Sequence, residues 1–290
     1  MNELPLFPEY VFLTVLCFFW GACIGSFLNV CIYRIPRDLS VVTPRSFCPH
    51  CRKPIAGYHN IPIISFLALR GKCRACGSAI TARYVLVELL TAVLFLIIWL
   101  KLERPDGRQV LGLTAMSDWK LVPIYWLVVS GLILGTFVDF EHLIIPDRVT
   151  LGGIVAGILL SVVAPSLHGK EDMLSGLLWS AIGAAAGWGL LRAVAVLGKL
   201  AFRRDAMGFG DIKLLGAIGA FLGWQAILFT VLLSSLIGSI VGILLVLARM
   251  KKMQSKIPYG PYLALAAVLW IFWGPTLSSA FLNLRILPWP

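Results

Sequence analysis

Long runs of apolar residues alternate with short polar segments along this chain, and they are the first guide to its structure. A helix needs roughly 20 apolar residues to cross the hydrocarbon core of a bilayer. Charge-poor stretches that suit such helices are 10–33, 84–100, 121–138, 149–167, 173–191, 212–224, 225–248 and 257–284. The pattern predicts an all-α polytopic membrane protein with about eight transmembrane helices.

The sixth and seventh stretches belong to one continuous run. No residue from Leu214 to Ala248 is charged. A single straight helix of that length would extend over roughly 50 Å, far beyond a hydrocarbon core of about 30 Å. We therefore predict a break at Gly223-Trp224-Gln225 that divides the run into two short helices.

Composition and charge agree with a membrane protein and orient it. The chain is 59% hydrophobic and 13% charged, with a mean hydropathy of +0.89, which excludes an ordinary soluble domain. The segment 34–83 has nine Lys and Arg against one acid, Asp38, and further basic residues lie in 192–213 and 249–256. Because Lys and Arg concentrate in cytoplasmic loops, both termini are predicted to lie outside the cytoplasm.

The net charge of +11 is therefore mainly a signal of topology. The basic residues flank spans and do not form a surface interleaved with aromatic residues, so we expect no nucleic-acid partner. The first span lacks a basic n-region and a small-residue cleavage site, so we expect it to be a helix of the mature protein. Pairs of small residues four apart predict close helix packing in GACIG (21–25), GLILG (131–135), GIVAG (153–157), GAAAG (183–187), GAFLG (219–223) and GSIVG (238–242).

The segment 34–83, between the first two spans, contains two cysteine pairs, CPHC at 48–51 and CRAC at 73–76. Two such pairs can place four thiolates tetrahedrally around Zn²⁺, and a segment this short gains stability from a metal. The alternative is a pair of disulfides, which a reducing cytosol disfavours. We predict a small cytoplasmic zinc-binding insertion with a structural ion bound by Cys48, Cys51, Cys73 and Cys76. His50 and His59 are interpreted as solvated loop residues.

Acidic residues within or at the ends of the spans are the rarest feature of the chain, and such groups usually mark function. They are Glu88, Asp139, Glu141, Asp147 and Asp211, and the predicted topology places all of them at the cytoplasmic ends of helices. Two aspartates from different helices can share one proton, so that one accepts a proton from water while the other donates to a peptide carbonyl. Gly208 and Gly210 would leave room for an extended substrate beside Asp211.

Each of these acids also has a structural interpretation. Asp211 can cap the N-terminus of its helix, and Asp139 can pair with a Lys or Arg of a neighbouring loop. Asp147 follows a proline and can start a helix. Glu141 lies roughly 200° around the helix from Asp139, so the two cannot face one partner. His142 is interpreted as an interfacial residue and not as a general base.

Ordered motifs along nearly the whole chain resemble the bifunctional type IV prepilin peptidase/N-methyltransferase family. The motifs are GSFLNVCIYRIP (25–36), the two cysteine pairs, NIPIISFLALRGKC (60–73), RYVLVELL (83–90), VDFEHLIIPD (138–147), GFGDIKLLGAIGAFLGW (208–224) and IPYGPYLALAA (257–267). The resemblance implies a GxGD-type aspartic protease of the bacterial cytoplasmic (inner) membrane. It identifies Asp139 and Asp211 as the catalytic pair.

The resemblance also implies the substrates and partners. Such enzymes remove a short basic leader from prepilins and pseudopilins at the cytoplasmic face, after a glycine. They then methylate the new amino terminus with S-adenosylmethionine. The expected partners are these substrates, membrane lipid and the assembly machinery of a type IV pilus or type II secretion system.

Family members that are limited to peptidase activity lack the cysteine-containing segment, so the resemblance links 34–83 to methyl transfer. The predicted organisation is a first helix (1–33), this zinc-binding segment and a bundle (84–290) with the peptidase site. No GxGxxG motif indicates where the methyl donor binds. Gly71 and Glu88 are the candidates for residues near it.

Two other functions are alternatives for a chain of this composition. An ion-coupled transporter would use intramembrane carboxylates as a relay, but would distribute them over the depth of the bilayer and would show paired repeats. A zinc-stabilised membrane scaffold without catalysis would tolerate asparagine in place of Asp139 and Asp211.

Overall fold

The computed structural model describes residues 8–101, 118–203, 207–248 and 257–282, and the regular elements in these ranges are helices. The α-helices are α1 (Pro8–Arg34), α2 (Ile64–Ala68), α3 (Arg83–Lys101), α4 (Leu121–His142), α5 (Asp147–Val163), α6 (Met173–Phe202), α7 (Phe209–Leu247) and α8 (Gly260–Leu282). The predicted all-α fold is confirmed.

Five of these helices, namely α1, α3, α4, α6 and α7, are long and apolar enough to cross a membrane. Within the described side chains α8 is apolar over Gly260–Gly274, and α5 has 17 residues. The helices lie at the predicted positions except that α6 continues past 191 to Phe202, while the total of eight spans stays a prediction.

The chain divides into two compact units, Met1–Glu103 and Arg104–Pro290. In the first unit α3 packs along α1, and two glycines of the GACIG motif make this possible. A Cβ atom at Gly21 would lie 2.8 Å from Cα of Ala92, and one at Gly25 would lie 2.7 Å from Cα of Glu88. Glycine at both positions lets the two helix backbones approach closely.

In the second unit α7 is a helical hairpin that reverses at Gly223, where φ is 79° and ψ is 174°. A Cβ at Gly219 would lie 2.9 Å from Cδ1 of Ile227, a contact that a straight helix would not allow across two turns. The predicted break is therefore present. We call residues 209–222 α7a and residues 224–247 α7b.

The reversal removes helical hydrogen-bond donors from the last carbonyls of α7a, and side chains replace them. The carbonyl oxygen of Ala220 accepts a hydrogen bond from Oγ of Ser180 at 2.7 Å and lies 3.1 Å from Nε2 of His168. Burial lowers the pKa of His168 to about 4, so its ring is neutral at pH 7. The turn of the hairpin is thus held by two polar side chains from the preceding segment of the chain.

Helix α6 packs on α7a through glycine. A Cβ at Gly183 would overlap the carbonyl oxygen of Gly219, and one at Gly187 would overlap that of Leu215. Gly189 belongs to the same helix, but a Cβ at this position would meet no atom within 4 Å. Gly183 and Gly187 are therefore needed for this packing, whereas Gly189 is not.

This difference gives a test of the fold. We expect Gly183→Ala to destabilise the protein by about 1–3 kcal/mol, because the added methyl group forces α6 and α7a apart. Gly189→Ala is the matched control and should leave stability unchanged or slightly raised, since alanine favours helix more than glycine does. Unfolding of the two variants in detergent measures the difference, and equal stability would contradict the close packing of α6 on α7a.

Candidate active site

Asp139 lies in the last turn of α4, and its side chain is 5% exposed. The helix ends where Leu143 adopts a left-handed conformation (φ 55°). Oδ2 of Asp139 accepts a hydrogen bond of 3.0 Å from the backbone N–H of Gly260, the first residue of α8. The first N–H groups of a helix have no acceptor within the helix. Asp139 therefore supplies the acceptor that the start of α8 needs.

Asp211 is the third residue of α7, after Gly208, which caps the helix with extended backbone (φ −68°, ψ 140°). Its side chain is 9% exposed, and its Oδ2 lies close to Gly208, where an added Cβ would be only 3.0 Å away. The carboxyl group of Asp139 is close enough to interact with it electrostatically. The structure therefore brings together two aspartates that are 72 positions apart in the sequence.

Ile145 fills the space between the elements that carry the two acids. It is buried in the loop between α4 and α5. A Cβ at Gly210 would lie 3.3 Å from Cβ of Ile145, and one at Gly260 would lie 2.9 Å from its Cδ1 and 2.8 Å from Oδ2 of Asp139. A side chain at position 260 would thus force Asp139 or Ile145 to move, and one at position 210 would press on Ile145.

This packing qualifies the expectation that Gly208 and Gly210 both face a substrate. The missing side chain of Gly210 is explained by Ile145, whereas Gly208 is exposed at the start of α7. Contact between either glycine and a substrate stays a prediction. The structure makes Gly208 the more accessible of the two.

Two helix N-termini, those of α7 and α8, are directed at the acid pair. The N-terminus of a helix carries a partial positive charge and favours an anion nearby. Because a backbone N–H can only donate, the Oδ2 atom of Asp139 that bonds Gly260 acts as an acceptor. Because an unprotonated carboxyl oxygen is the better acceptor, this contact favours a shared proton on one of the other carboxyl oxygens.

The remaining acids of this region have structural contacts. Asp147 is the first residue of α5, as its position after a proline indicated, and it is bound by Nζ of Lys213 at 2.7 Å. Glu141 is exposed and lies 3.9 Å from Nε2 of His142. Asp211 is close to the N-terminus of its helix, but Gly208 and not Asp211 occupies the capping position.

Neither Gly260 nor Ile145 was a predicted site residue. Gly260 belongs to the motif IPYGPYLALAA, and a glycine followed by proline at the start of an apolar run was the available signal. Ile145 had no such signal, because an isoleucine near a helix end has no unusual chemistry.

In the first unit Cys48, Cys51, Cys73 and Cys76 come together. Their sulfur atoms all lie within 4.8 Å of one another, and the Cys48 and Cys76 sulfurs are 3.9 Å apart. Four thiolates at the Zn–S distance of ≈ 2.3 Å form a tetrahedron with edges of about 3.8 Å. The donor set and its dimensions therefore fit one tetrahedral metal ion. Within the described residues the group consists of these cysteines and includes neither His50 nor His59.

The two cysteine pairs adopt the same local structure. In each, the carbonyl of the first cysteine accepts an N–H from the residue after the second: Arg52 bonds Cys48 at 2.9 Å and Gly77 bonds Cys73 at 2.8 Å. Both of these residues are left-handed, with φ of 57° and 70°. An isolated antiparallel bridge closes each loop. Such paired loops direct their four sulfur atoms toward one point.

The environment of the thiols favours a cation. Burial would raise the pKa of the Cys48 thiol, but N–H groups of Cys51 and His50 and neighbouring thiols lower it to about 6. The N–H of Lys53 would lower the pKa of Cys51, but burial and the neighbouring Cys76 and Cys48 sulfurs raise it to about 11. Four thiolates so close together therefore need a positive charge among them.

Glu88 and Gly71, the candidates near the methyl donor, both lie in the first unit; Glu88 contacts the insertion, and Gly71 is part of it. Oε2 of Glu88, on α3, accepts a hydrogen bond of 2.8 Å from the N–H of Ile63. Gly71 is left-handed (φ 65°), and a Cβ there would lie 3.1 Å from the ring of Phe66. Glu88 thus connects the insertion to the helix pair, and Gly71 lies in the turn that leads into the second cysteine pair.

Comparison with known proteins finds two matching families and several proteins of similar sequence. The family described as "Bacterial Peptidase A24 N-terminal domain" matches residues 19–102, and the "Type IV leader peptidase family" matches residues 126–243. The prepilin leader peptidase/N-methyltransferase of Aeromonas hydrophila is 36% identical over 292 residues, which cover 92% of this chain and 93% of the relative. The chain belongs to the prepilin leader peptidase/N-methyltransferase family.

Other similar proteins carry the same name, prepilin leader peptidase/N-methyltransferase. The protein with this name from Myxococcus xanthus is 42% identical over 244 residues, with 84% of this chain and 64% of the relative covered. That from Pseudomonas aeruginosa is 33% identical over 287 residues, with 91% of each covered. No solved structure matches the chain significantly.

The two matched regions correspond to the two compact units. The first contains α1, the cysteine pairs and α3, and the second contains Asp139 and Asp211. Membership of the prepilin leader peptidase/N-methyltransferase family supports an enzyme, and thus neither an ion-coupled transporter nor a scaffold.

Proposed function

We propose that Asp139 and Asp211 form the catalytic pair with which this enzyme cleaves the leader peptide from type IV prepilins. Membership of the family supports both leader cleavage and N-methylation of the new amino terminus. The observation that carries the residue assignment is the meeting of two buried carboxyl groups from α4 and α7.

In the proposed reaction one carboxylate of the pair accepts a proton from a water molecule as its oxygen attacks the carbonyl carbon of the scissile peptide. The protonated carboxyl group of the other donates to the carbonyl oxygen. The C–N bond then breaks, and the leaving nitrogen takes a proton from the pair. General acid–base catalysis of this kind contributes typically 10²–10⁴-fold to a rate.

The surroundings of the pair support these roles. The N–H of Gly260 fixes Oδ2 of Asp139 as an acceptor, and the N-termini of α7 and α8 stabilise the negative charge that the pair carries. Gly208 is exposed beside Asp211, so an extended substrate backbone has access there. We propose that Gly208, together with Gly210, borders the bound substrate.

We propose that Cys48, Cys51, Cys73 and Cys76 bind one structural Zn²⁺. The ion would hold the two loops of the insertion together and neutralise their thiolates. With four protein ligands it would have no open position for a substrate. Its role in our proposal is therefore to fold the segment 34–83.

We propose that methyl transfer occurs in the first unit, with Glu88 and Gly71 near the donor. S-adenosylmethionine supplies the methyl group and carries positive charge, which the buried carboxylate of Glu88 complements. Asn29, 2% exposed, donates from Nδ2 to the carbonyl of Tyr84, and its Oδ1 has no hydrogen-bond partner within the described residues. An unpaired buried acceptor on the helix that packs along α3 fits the amino group of such a ligand.

The long apolar helices and the family make this an integral membrane protein. We propose that it lies in the bacterial inner membrane with the aspartate pair at the cytoplasmic face. The excess of Lys and Arg in 34–83 supports this orientation. Pseudopilins, the surrounding lipid and the pilus or type II secretion machinery are the other proposed partners. The proposed division of labour places methyl transfer in 34–83 and proteolysis in 84–290.

Incubation of the purified protein with a full-length prepilin, followed by mass spectrometry, tests both reactions at once. Without S-adenosylmethionine we expect loss of the leader alone. With it we expect loss of the leader and gain of one methyl group on the new amino terminus. An uncleaved substrate under both conditions would contradict the proposed function, and cleavage without methylation would remove the second reaction.

A further inference from the structure

Tyr259 immediately precedes the residue whose N–H binds Asp139, and its hydroxyl group ties this point of the chain to α7b. The hydroxyl oxygen lies 2.7 Å from Oγ of Ser234 and 3.2 Å from Oγ of Ser235. Ser234 is fully buried, and its own hydroxyl donates to the carbonyl of Val231 at 3.1 Å. Because a hydroxyl has one proton to donate, Tyr259 donates to Ser234, and Ser235 is left to donate to Tyr259.

The backbone of Tyr259 also fixes the start of α8. Its carbonyl oxygen accepts hydrogen bonds from the N–H groups of Tyr262 at 3.1 Å and Leu263 at 3.3 Å. Tyr259 is therefore held from two directions, by its side chain against α7b and by its carbonyl against the first turn of α8. The next N–H along the chain, that of Gly260, is the one that meets Oδ2 of Asp139.

We propose that Tyr259 is a positioning residue for the peptidase reaction: its hydroxyl contacts with Ser234 and Ser235 hold the Gly260 N–H on Asp139. Gly260 has no side chain of its own to fix its place, and a Cβ there would collide with Asp139 and Ile145. The position of its N–H therefore depends on its neighbours in the chain. This inference rests on the proposed catalytic role of Asp139.

The role of the Tyr259 hydroxyl can be separated from the packing of the tyrosine ring. The aromatic ring of Tyr259 would remain in a phenylalanine variant, and only the two contacts to α7b would be lost. A purely structural hydroxyl would affect stability or substrate binding. A positioning hydroxyl affects the rate of the chemical step, because hydrogen-bond geometry at a catalytic group changes with shifts well below 1 Å.

The test compares Tyr259→Phe with Tyr262→Phe. Tyr262 lies one turn further along α8, where its ring packs at Gly238, and it serves as the matched control. For Tyr259→Phe we expect kcat for leader cleavage to fall roughly tenfold, as for the loss of one positioning hydrogen bond, with KM unchanged. Methylation of a pilin that has already been cleaved should not change in either variant.

A second substitution keeps the test independent of the tyrosine. Ser234→Ala combined with Ser235→Ala should lower kcat by a similar factor, and adding Tyr259→Phe to these changes should lower it little further. Such non-additivity is the sign of groups that act through one contact.

The outcomes separate the inference from the function on which it rests. An unchanged kcat in Tyr259→Phe, a rise in KM alone, or fully additive losses with the serine variants would overturn the positioning role. Asp139→Asn is measured in the same assay. If that variant still cleaves the leader, the proposed function fails, whatever the result for Tyr259.

Discussion

Asparagine in place of Asp139 or of Asp211 is expected to lower leader-peptide cleavage by roughly 10²–10⁴-fold, because an amide can neither accept nor donate the proton that the reaction moves. The change is nearly isosteric. At position 139 the amide oxygen can still accept the hydrogen bond from Gly260, so the start of α8 should stay in place. The loss should therefore be a loss of chemistry and not of structure.

Cleavage of a prepilin by purified variants, read by mass spectrometry, measures this effect. Glu141→Gln is the matched control, since Glu141 is an exposed carboxylate two residues after Asp139. It should cleave at the rate of the unmodified protein. Methylation of a substrate that has already been cleaved should continue in all three variants. Full cleavage by Asp139→Asn or by Asp211→Asn would remove that residue from the mechanism.

The helices were predictable because the bilayer imposes a length on apolar segments. Even the break at Gly223 followed from this constraint, since one helix of the observed length would be too long for the membrane. The end of α6 was placed too early. The apolar stretch stops before Arg192, but the helix continues to Phe202 and ends where Arg203 turns left-handed. Hydropathy reports the surroundings of a helix, whereas backbone hydrogen bonding decides where it ends.

The carboxylates and cysteines of the candidate sites could be predicted from the sequence, but the residues that hold them in place could not. A carboxylate in an apolar chain is conspicuous, and four cysteines in two pairs have a spacing with few explanations. The contact between Gly260 and Asp139 joins residues 121 positions apart and depends on where α8 begins against α4. No local sequence pattern predicts a contact between residues so far apart in the chain. Tyr259, Ser234 and Ile145 were missed for the same reason, because their importance comes from what they touch.

The two units illustrate different ways of stabilising a site. The aspartate pair depends on long helices that pack through glycine, and on two helix N-termini that tolerate negative charge. The cysteine cluster belongs to a segment with short helices and few buried apolar side chains. Among the described residues of the insertion only Arg34, Cys48, Ser65 and Gly71 are buried, and none of them has a large apolar side chain. Such a segment cannot rely on an apolar core, and its folding should depend on the metal.

Replacement of Cys48 and Cys51 by serine is therefore expected to remove bound zinc, from about one ion per chain to nearly none. Structural zinc contributes apparent free energies of ≈ 10–16 kcal/mol in small domains, far more than this segment can replace by other contacts. We expect the double variant to lose the fold of the insertion and, with it, N-methylation of a cleaved pilin. Metal analysis of the purified protein and the methylation assay measure the two effects.

Cys23→Ser is the matched control for this experiment. Cys23 is an exposed thiol on α1, outside the cluster, so its replacement should leave both zinc content and methylation unchanged. An unchanged zinc content in the Cys48→Ser, Cys51→Ser variant would refute the metal assignment. Loss of zinc with full methylation would instead show that N-methylation does not require the ion. In that case the four sulfur atoms would serve only to hold the two loops together, and the link between this segment and methyl transfer would fail.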